Sequence, residues 1–385
     1  MSLPSRPSLE YLKKLAKDQL TELQRADASA KLADAQRAVA RSHGFTSWRK
    51  LRAHLESMLP AAAPERTDWP DSVIEEFFGA INRGDDATVR RMLAADHELA
   101  NARHPEGSTA LTAAVDHNRI GILEALLQHG ADATRVYAHS AHTPLSWAVT
   151  IENFEAARVL MRAGVASDLY CAAGMGDVAA VRAFFDAAGR VKPGASKTGS
   201  SRYTPDGVRL PCPPESAREV VADALYIASR NGQVDAVKIL LAHDPDLSFR
   251  AYMGATALHW AEFAGSRPIV DLLQNAGADP GARDGVLKCT PRAFAICAPA
   301  NWGFTAKVRQ RLADDRSLAN IMEGRGTPLH EAAREGHLEI VKLLIENGAE
   351  ASVRDADGKT PRDLALARPD HARCAEVAAW LANQT

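Results

Sequence analysis

The chain has 385 residues, of which 46% are hydrophobic and 24% are charged, and its formal net charge is −2. This balance is typical of globular proteins, excludes a collagen-like or low-complexity chain, and leaves no overall charge with which to hold nucleic acid or an anionic lipid surface. The five cysteines form no C-x-x-C pair and no apolar run is long enough for a signal peptide or a membrane span, so we expect a reduced cytoplasmic protein without disulfides, metal or cofactor.

The first 59 residues do not share the pattern of the rest of the chain. Apolar residues at helical spacing predict three short helices there, the second of which ends at Gly44. Segment Ala40–Leu51 has the helix, glycine turn and second helix of a helix-turn-helix motif. The 11 basic and 6 acidic residues of this region give a net charge of +5, which is small for a protein that contacts many phosphates. We expect a helical capping or docking module, and a regulatory nucleic-acid contact is the alternative.

Residues 60–71 are rich in proline and alanine and are predicted to be a linker. The segment Val73–Asn101 then has the pattern of two amphipathic helices, without the turn residues that would form a hairpin before it. Its ending, LAADHELAN, is echoed by LADDRSLAN at residues 312–320. Because an internal duplication of this kind indicates a repeat array, residues 72–385 are predicted to form one, with Val73–Asn101 as its first, capping unit.

A short unit recurs through this second part of the chain. Six of its copies begin with Thr-Pro or Thr-Ala, at Thr109, Thr143, Thr256, Thr290, Thr327 and Thr360. Apart from the gap between Thr143 and Thr256, successive copies are 33 to 37 residues apart. Two further copies, near Ser167 and Asp223, keep the helical pattern and lose the Thr-Pro pair. Together with the capping unit they make nine.

The clearest copy, Thr327–Lys359, shows why the unit folds as two helices. Thr327 can cap the first helix, and Pro328 stands at its first position, where the missing N–H costs no hydrogen bond. Gly336 and Gly348 end the two helices. Since neither helix can bury its apolar face alone, successive units must stack.

The period and the T-P-L-H-x-A pattern resemble the ankyrin-repeat family, and a helical segment beside such an array resembles bacterial multi-repeat proteins of this type. The resemblance implies an all-α solenoid of about nine helix-turn-helix units with short β-hairpin fingers. It also implies that a protein or peptide partner binds to the hairpin tips and to the groove lined by the first helices.

Irregular spacing marks the middle of the array. The unit at Ser167 begins 24 residues after Thr143, so we expect its hairpin finger to be missing. The unit at Asp223 begins 56 residues later, which leaves an insertion at about residues 188–219. This stretch is rich in Gly, Pro and Ser and is predicted to be a long ordered loop or a flexible flap.

Several aromatic residues depart from the repeat pattern. Trp147, Trp260 and Phe294 stand where the clearest unit has Glu331, and Phe263 stands at a position expected to face the groove. They can form an apolar anchor for a partner, or they can fill gaps between stacked helices. Sequence alone leaves both interpretations open.

No catalytic or phosphate-binding motif is present, and the histidines His259 and His330 are expected to hydrogen-bond neighbouring turns. Glu262 is the exception to the pattern, because the other units have small or apolar residues at its position. Partial burial would raise its pKa and suit it to general acid–base chemistry, or the side chain can reach the rim. An enzyme or small-molecule site would therefore combine Glu262 with Tyr226, His259, Trp260 and the insertion.

We expect a non-enzymatic scaffold that binds a protein or peptide, with a small-molecule or catalytic pocket near Glu262 as the alternative. The repeat register supplies the candidate binding residues, which are Asp116, His117, Trp147, Ile151, Tyr226, Arg230, His259, Trp260, Glu262, Phe263, Phe294, Arg334 and Glu335. Their character changes along the array from polar to apolar to charged. Such a mixture favours a composite protein-binding surface over a uniform electrostatic track.

Overall fold

The computed structural model describes residues 20, 23–24, 31–42, 47–48, 68–137, 142–197, 199–200, 202–204, 209–210, 214, 216–368 and 371–384. The chain divides into two compact units, Met1–Trp69 and Pro70–Thr385. In the first, helix α1, Leu32–Ser42, buries Ala35, Val39 and Ala40. Gly44, most of the predicted first and third helices, and residues 60–67 of the predicted linker lie outside the described residues.

Within the described part of Pro70–Thr385, eighteen α-helices follow one another as nine pairs, which confirms the predicted units. The pairs are α2 Asp71–Arg83 and α3 Asp86–Ala95; α4 Ala110–Asp116 and α5 Ile120–Gln128; α6 Pro144–Thr150 and α7 Phe154–Arg162; α8 Leu169–Gly174 and α9 Val178–Ala183; α10 Ala217–Arg230 and α11 Val234–Leu241; α12 Ala257–Ala264 and α13 Arg267–Asn275; α14 Pro291–Trp302 and α15 Thr305–Asp314; α16 Pro328–Glu335 and α17 Leu338–Glu346; and α18 Pro361–Leu366 and α19 Ala372–Leu381.

Each first helix packs on the first helix of the next unit, from α2 to α18, and second helices pack on one another on the outer side. Short 3₁₀ turns at His97–Asn101, Tyr252–Gly254 and Arg316–Asn320 complete the connections.

The helix ends follow the residues that the repeat supplies. Thr327 is the N-cap of α16 and forms a capping box with His330, in which each side chain interacts with the other residue's backbone N–H. Gly336 ends α16 in the left-handed conformation, at φ +75°, which glycine adopts without strain. Leu329, Ala332 and Ala333 are buried between neighbouring units. The local caps and the small interface residues therefore specify both the helix bounds and the stacking distance.

The fourth unit is short, as its spacing predicts, and its neighbours meet across it. Only residues 163–168 separate α7 from α8, which leaves no room for a finger. The side-chain amide of Asn231 donates to the carbonyls of Val149 (2.8 Å) and Gly174 (3.0 Å) and so ties the fifth unit to the third. A Cβ atom at Gly174 would lie 2.4 Å from Cγ1 of Val149 and 2.8 Å from Cγ1 of Ile227. The third and fifth units thus approach one another as closely as a glycine allows.

The described part of the insertion is attached to the finger edge of the array. The Ala195 carbonyl accepts the Leu169 N–H (2.8 Å), and the Ser200 hydroxyl donates to Asp223 (2.5 Å). Strands β1, Arg202–Tyr203, and β2, Arg209–Leu210, pair antiparallel, and the Tyr203 N–H donates to the Arg250 carbonyl (3.0 Å).

The predicted bounds of the insertion need one correction, because residues 217–219 are the first turn of α10. Ser216 caps this helix and forms a capping box with Glu219, so the fifth unit starts six residues before Asp223.

Candidate functional site

The middle of the array contains a continuous group of aromatic side chains, which we call the Trp260 cluster: Tyr226, Tyr252, Trp260, Phe263, Phe294 and Trp302. Trp260 is 1% exposed, and its ring centroid lies 5.3 to 5.5 Å from those of Tyr226, Phe263 and Phe294. Phe263 and Phe294 are equally buried. These three predicted anchor residues therefore fill the space between units and do not face solvent, and the expectation that Phe263 faces the groove is wrong.

Helix α14 explains why Phe263 is covered. It has 12 residues, against 8 in α12 and in α16, and its last turn carries Trp302. Trp302 stacks on Trp260 at a centroid distance of 6.0 Å and contacts Phe263 edge-on at 5.5 Å. The sequence signal for this extra turn is the 37-residue spacing between Thr290 and Thr327.

Two aromatic residues at the edge of the cluster face solvent. Tyr252 is 48% exposed and lies 6.3 Å from Trp302, and Phe304 is 47% exposed and lies 5.7 Å from the same ring. Repeat register did not single out Tyr252, Trp302 or Phe304, because Tyr252 lies in a finger, Trp302 in the extra turn of α14 and Phe304 in the turn between α14 and α15. The exposed aromatic surface is thus provided by residues outside the consensus positions.

Two cationic side chains, those of Arg230 and Lys307, lie over rings of the Trp260 cluster. The guanidinium carbon of Arg230 lies 5.3 Å from the Trp260 ring, and Nζ of Lys307 lies 3.9 Å from the Phe263 ring. Burial lowers the pKa of Lys307, and the positive charges of Arg230 and Arg311 act in the same direction. Glu152, from the third unit, is near enough to oppose that shift.

The polar end of the groove lies at the second and third units. The indole N–H of Trp147 donates to Oδ1 of Asp116 (2.5 Å), and Trp147 is half-buried. Burial raises the pKa of Asp116, and the hydrogen bond from the Trp147 indole offsets only part of that rise. Asp116 and Ile151 line a shallow depression together with Glu152 and Phe154, and His117 is exposed beside them. The structure therefore joins Asp116 to Trp147 and places Asp116 and Ile151 in one depression.

The repeat histidines are structural, as expected. His259 accepts the Thr256 N–H at Nδ1 (3.2 Å) and donates from Nε2 to the Cys289 carbonyl (3.1 Å), which joins the sixth and seventh units. Burial lowers its pKa to about 4, so the imidazole is neutral at physiological pH. His330 makes the equivalent bond to the Lys359 carbonyl (3.1 Å).

Glu262 is half-buried, and burial raises its pKa, as the sequence predicts. The positive charges of Arg267, Arg311 and Arg292 reduce that shift. Glu262 and Trp260 are two residues apart on α12 and, at 100° per residue, project to different sides of the helix. Among the described residues of the insertion, none forms a hydrogen bond with Glu262, and several hydrogen bonds go instead to Asp168, Asp223 and Arg250. They do not form a closed pocket around Glu262.

Arg334 and Glu335 belong to a network between the last two units. Arg368 donates to the carboxylate of Glu335 (2.7 Å) and to the Arg334 carbonyl (3.2 Å). Glu331 is 2% exposed and accepts a hydrogen bond from Asn301 (3.0 Å). The predicted binding residues at this end of the array thus join units to one another.

The part of the chain that the structure describes contains no group of His, Cys, Asp or Glu residues that could hold a metal ion. Its four cysteines, Cys171, Cys289, Cys297 and Cys374, are buried and free. None of its helices has the length and apolar character needed to cross a membrane.

Comparison with known proteins agrees with the architecture. A family model of ankyrin repeats matches residues 77–170 and 212–284, and a second matches residues 312–365. Tyrosine-protein kinase HTK16 of Hydra vulgaris is 36% identical over 145 residues, which are 37% of this chain and 19% of that protein. The B-cell lymphoma 3 protein homolog of Mus musculus is 26% identical over 279 residues, 72% of this chain and 52% of that protein. Palmitoyltransferase AKR1 of Lachancea kluyveri is 31% identical over 168 residues, 35% of this chain and 23% of that protein. The chain spans about half or less of the length of these relatives.

Proposed function

The chain belongs to the ankyrin-repeat family, and we propose that it is a non-enzymatic scaffold that binds a protein partner in its groove. The observation that carries this proposal is the exposed aromatic surface of Tyr252 and Phe304, supported from below by Trp302. Rigid aromatic side chains on a packed base lose little entropy on binding, and such residues dominate the energetics of protein interfaces.

Fingers of the array offer a second contact region. Val136 and Val286 are 43% and 46% exposed in the loops that precede α6 and α14, and Met322 is 44% exposed before α16. Apolar residues at the finger tips and an aromatic edge in the groove define a surface that is long and discontinuous. A folded protein or an extended peptide fits such a surface better than a small molecule does.

Site-specific photo-crosslinking in the native cell tests the proposal. A photoreactive phenylalanine analogue at position 304 or 252 is expected to capture one partner, and the same analogue at position 238, on outer helix α11, is the matched control. Replacing Phe304 by Ala should weaken the reconstituted complex about tenfold or more if Phe304 is a hot spot. Adducts from position 238 but from neither groove position would contradict the groove model.

A further inference from the structure

Two cationic side chains in the groove lack ionic partners. Arg230 and Lys307 form no ion pair and no hydrogen bond from their side chains to any residue that the structure describes, and Nη1 of Arg230 is buried. Elsewhere, Arg292 pairs with Asp315 (2.9 Å) within the seventh unit, and Arg368 pairs with Glu335 (2.7 Å) across the last two units. Arg230 and Lys307 differ from these two arginines in that each lies over an aromatic ring of the Trp260 cluster.

A third donor lies in the same place. Trp260 is 1% exposed, and its indole Nε1 has no hydrogen-bond partner among the described residues. The guanidinium of Arg230 lies over this indole, so the two unsatisfied groups belong to one site. Buried donors without acceptors are unfavourable, and a site with several of them is suited to a ligand that supplies the acceptors.

The residues around these three donors favour one kind of hydrogen-bond acceptor in a ligand. Tyr252 lies 6.4 Å from Trp260, the ring over which Arg230 lies, and 6.3 Å from Trp302, so the apolar surface near the guanidinium favours an anionic group that is flanked by apolar atoms. The negative charge of Glu152 opposes the lowering of the Lys307 pKa, although the two side chains form no ion pair among the described residues. Residues 60–385 carry a net charge of −7, which repels polyanions such as nucleic acid. These features favour a single carboxylate flanked by apolar groups over a phosphate chain.

We propose that Arg230, Lys307 and the Trp260 indole N–H form a carboxylate-binding site, which takes an acidic side chain from an extended segment of the protein partner. This inference rests on the proposed function and specifies which chemistry the groove recognises. The carboxylate oxygens accept from the guanidinium, the ammonium and the indole, and the neighbouring residues of the segment contact Tyr252 and Trp302.

Indole N–H resonances of the full-length chain provide a direct test. The chain has six tryptophans, and loss of one signal in Trp260→Phe assigns the Trp260 resonance. The probes are acetyl-Leu-Glu-Leu-amide and its Gln counterpart, with glutarate and inorganic phosphate as further arms. We expect the Glu peptide to shift the Trp260 resonance downfield in a saturable manner, the Gln peptide to leave it unmoved, and glutarate and phosphate to bind more weakly because they lack the apolar flanks.

Variants connect the signal to the site. Arg230→Met and Lys307→Met keep the aliphatic stems over the rings and remove the charge, and each should weaken the Glu peptide about tenfold or more. Lys238→Met, which changes an exposed lysine paired with Asp235, should have no effect. Glu152→Gln should tighten binding about twofold, because it removes a nearby negative charge.

The inference is overturned if the Glu peptide does not shift Trp260, if the Gln peptide or phosphate binds equally well, or if both Met variants retain full affinity. Each of these results leaves the scaffold proposal standing, because that proposal depends on crosslinks to a native partner.

Discussion

Replacement of Gly174 by Ala tests the close approach of the third and fifth units across the short fourth unit. The new methyl group would lie 2.4 Å from Cγ1 of Val149 and 2.8 Å from Cγ1 of Ile227, so a shift of about 1 Å or more is needed to reach normal van der Waals contact. Overpacking of this kind costs about 1–3 kcal/mol. Alanine in a helix recovers about 1 kcal/mol of that cost, so we expect a net loss of up to about 2 kcal/mol.

Urea unfolding followed by circular dichroism measures this loss. Repeat arrays need not unfold in one step, so amide exchange of α8 and of Asn231 provides a local measure of the same effect. Gly121→Ala is the matched control, since its methyl group would lie 3.4 Å from a single Asp86 oxygen and helix propensity alone should make it neutral or stabilising. If Gly174→Ala were as stable as Gly121→Ala, the two units would not be packed together as described.

Three further changes probe the attachment of the insertion, the repeat hydrogen bonds and the aromatic cover. Burial raises the pKa of Asp223 to about 7, so the folded chain binds its proton more tightly than the unfolded chain, and stability should fall by up to about 4 kcal/mol between pH 4 and pH 8. In urea titrations, Asp223→Asn should flatten that dependence, whereas an unchanged slope would exclude Asp223 as its source. His259→Ala removes the bond to the Cys289 carbonyl and should cost about 2–3 kcal/mol of unfolding free energy, and a stable variant would contradict its role between units. Trp302→Ala should expose Trp260 and red-shift its fluorescence emission, and an unshifted spectrum would show that Trp302 does not cover it.

The repeat architecture could be predicted because its determinants are local. The helix caps formed by Thr327, His330 and Gly336 lie within one unit, and their recurrence predicts the number of helix pairs and most of their starts. The earlier start of α10 was also encoded locally, by Ser216 and Glu219, but a proline-rich segment before it suggested a loop.

The candidate site depends on contacts between different units, which the repeat period of the sequence does not predict. Register placed Arg230 in the groove, but Lys307 follows a turn that lies outside the consensus, in a unit two repeats further along. Trp260 and Phe263 are unusual residues for their repeat positions, and the sequence does not show that the extra turn carrying Trp302 covers them. Long-range packing of this kind fixes which aromatic residues face solvent and which fill the array.

Hydrogen exchange of the full chain with and without its crosslinked partner tests the groove model most directly. We predict slower exchange on binding in the finger at residues 250–256 and in the segment 300–307, with no change in the outer helix α11 at residues 234–241. Protection confined to the outer helices, with unchanged exchange at residues 250–256 and 300–307, would contradict it.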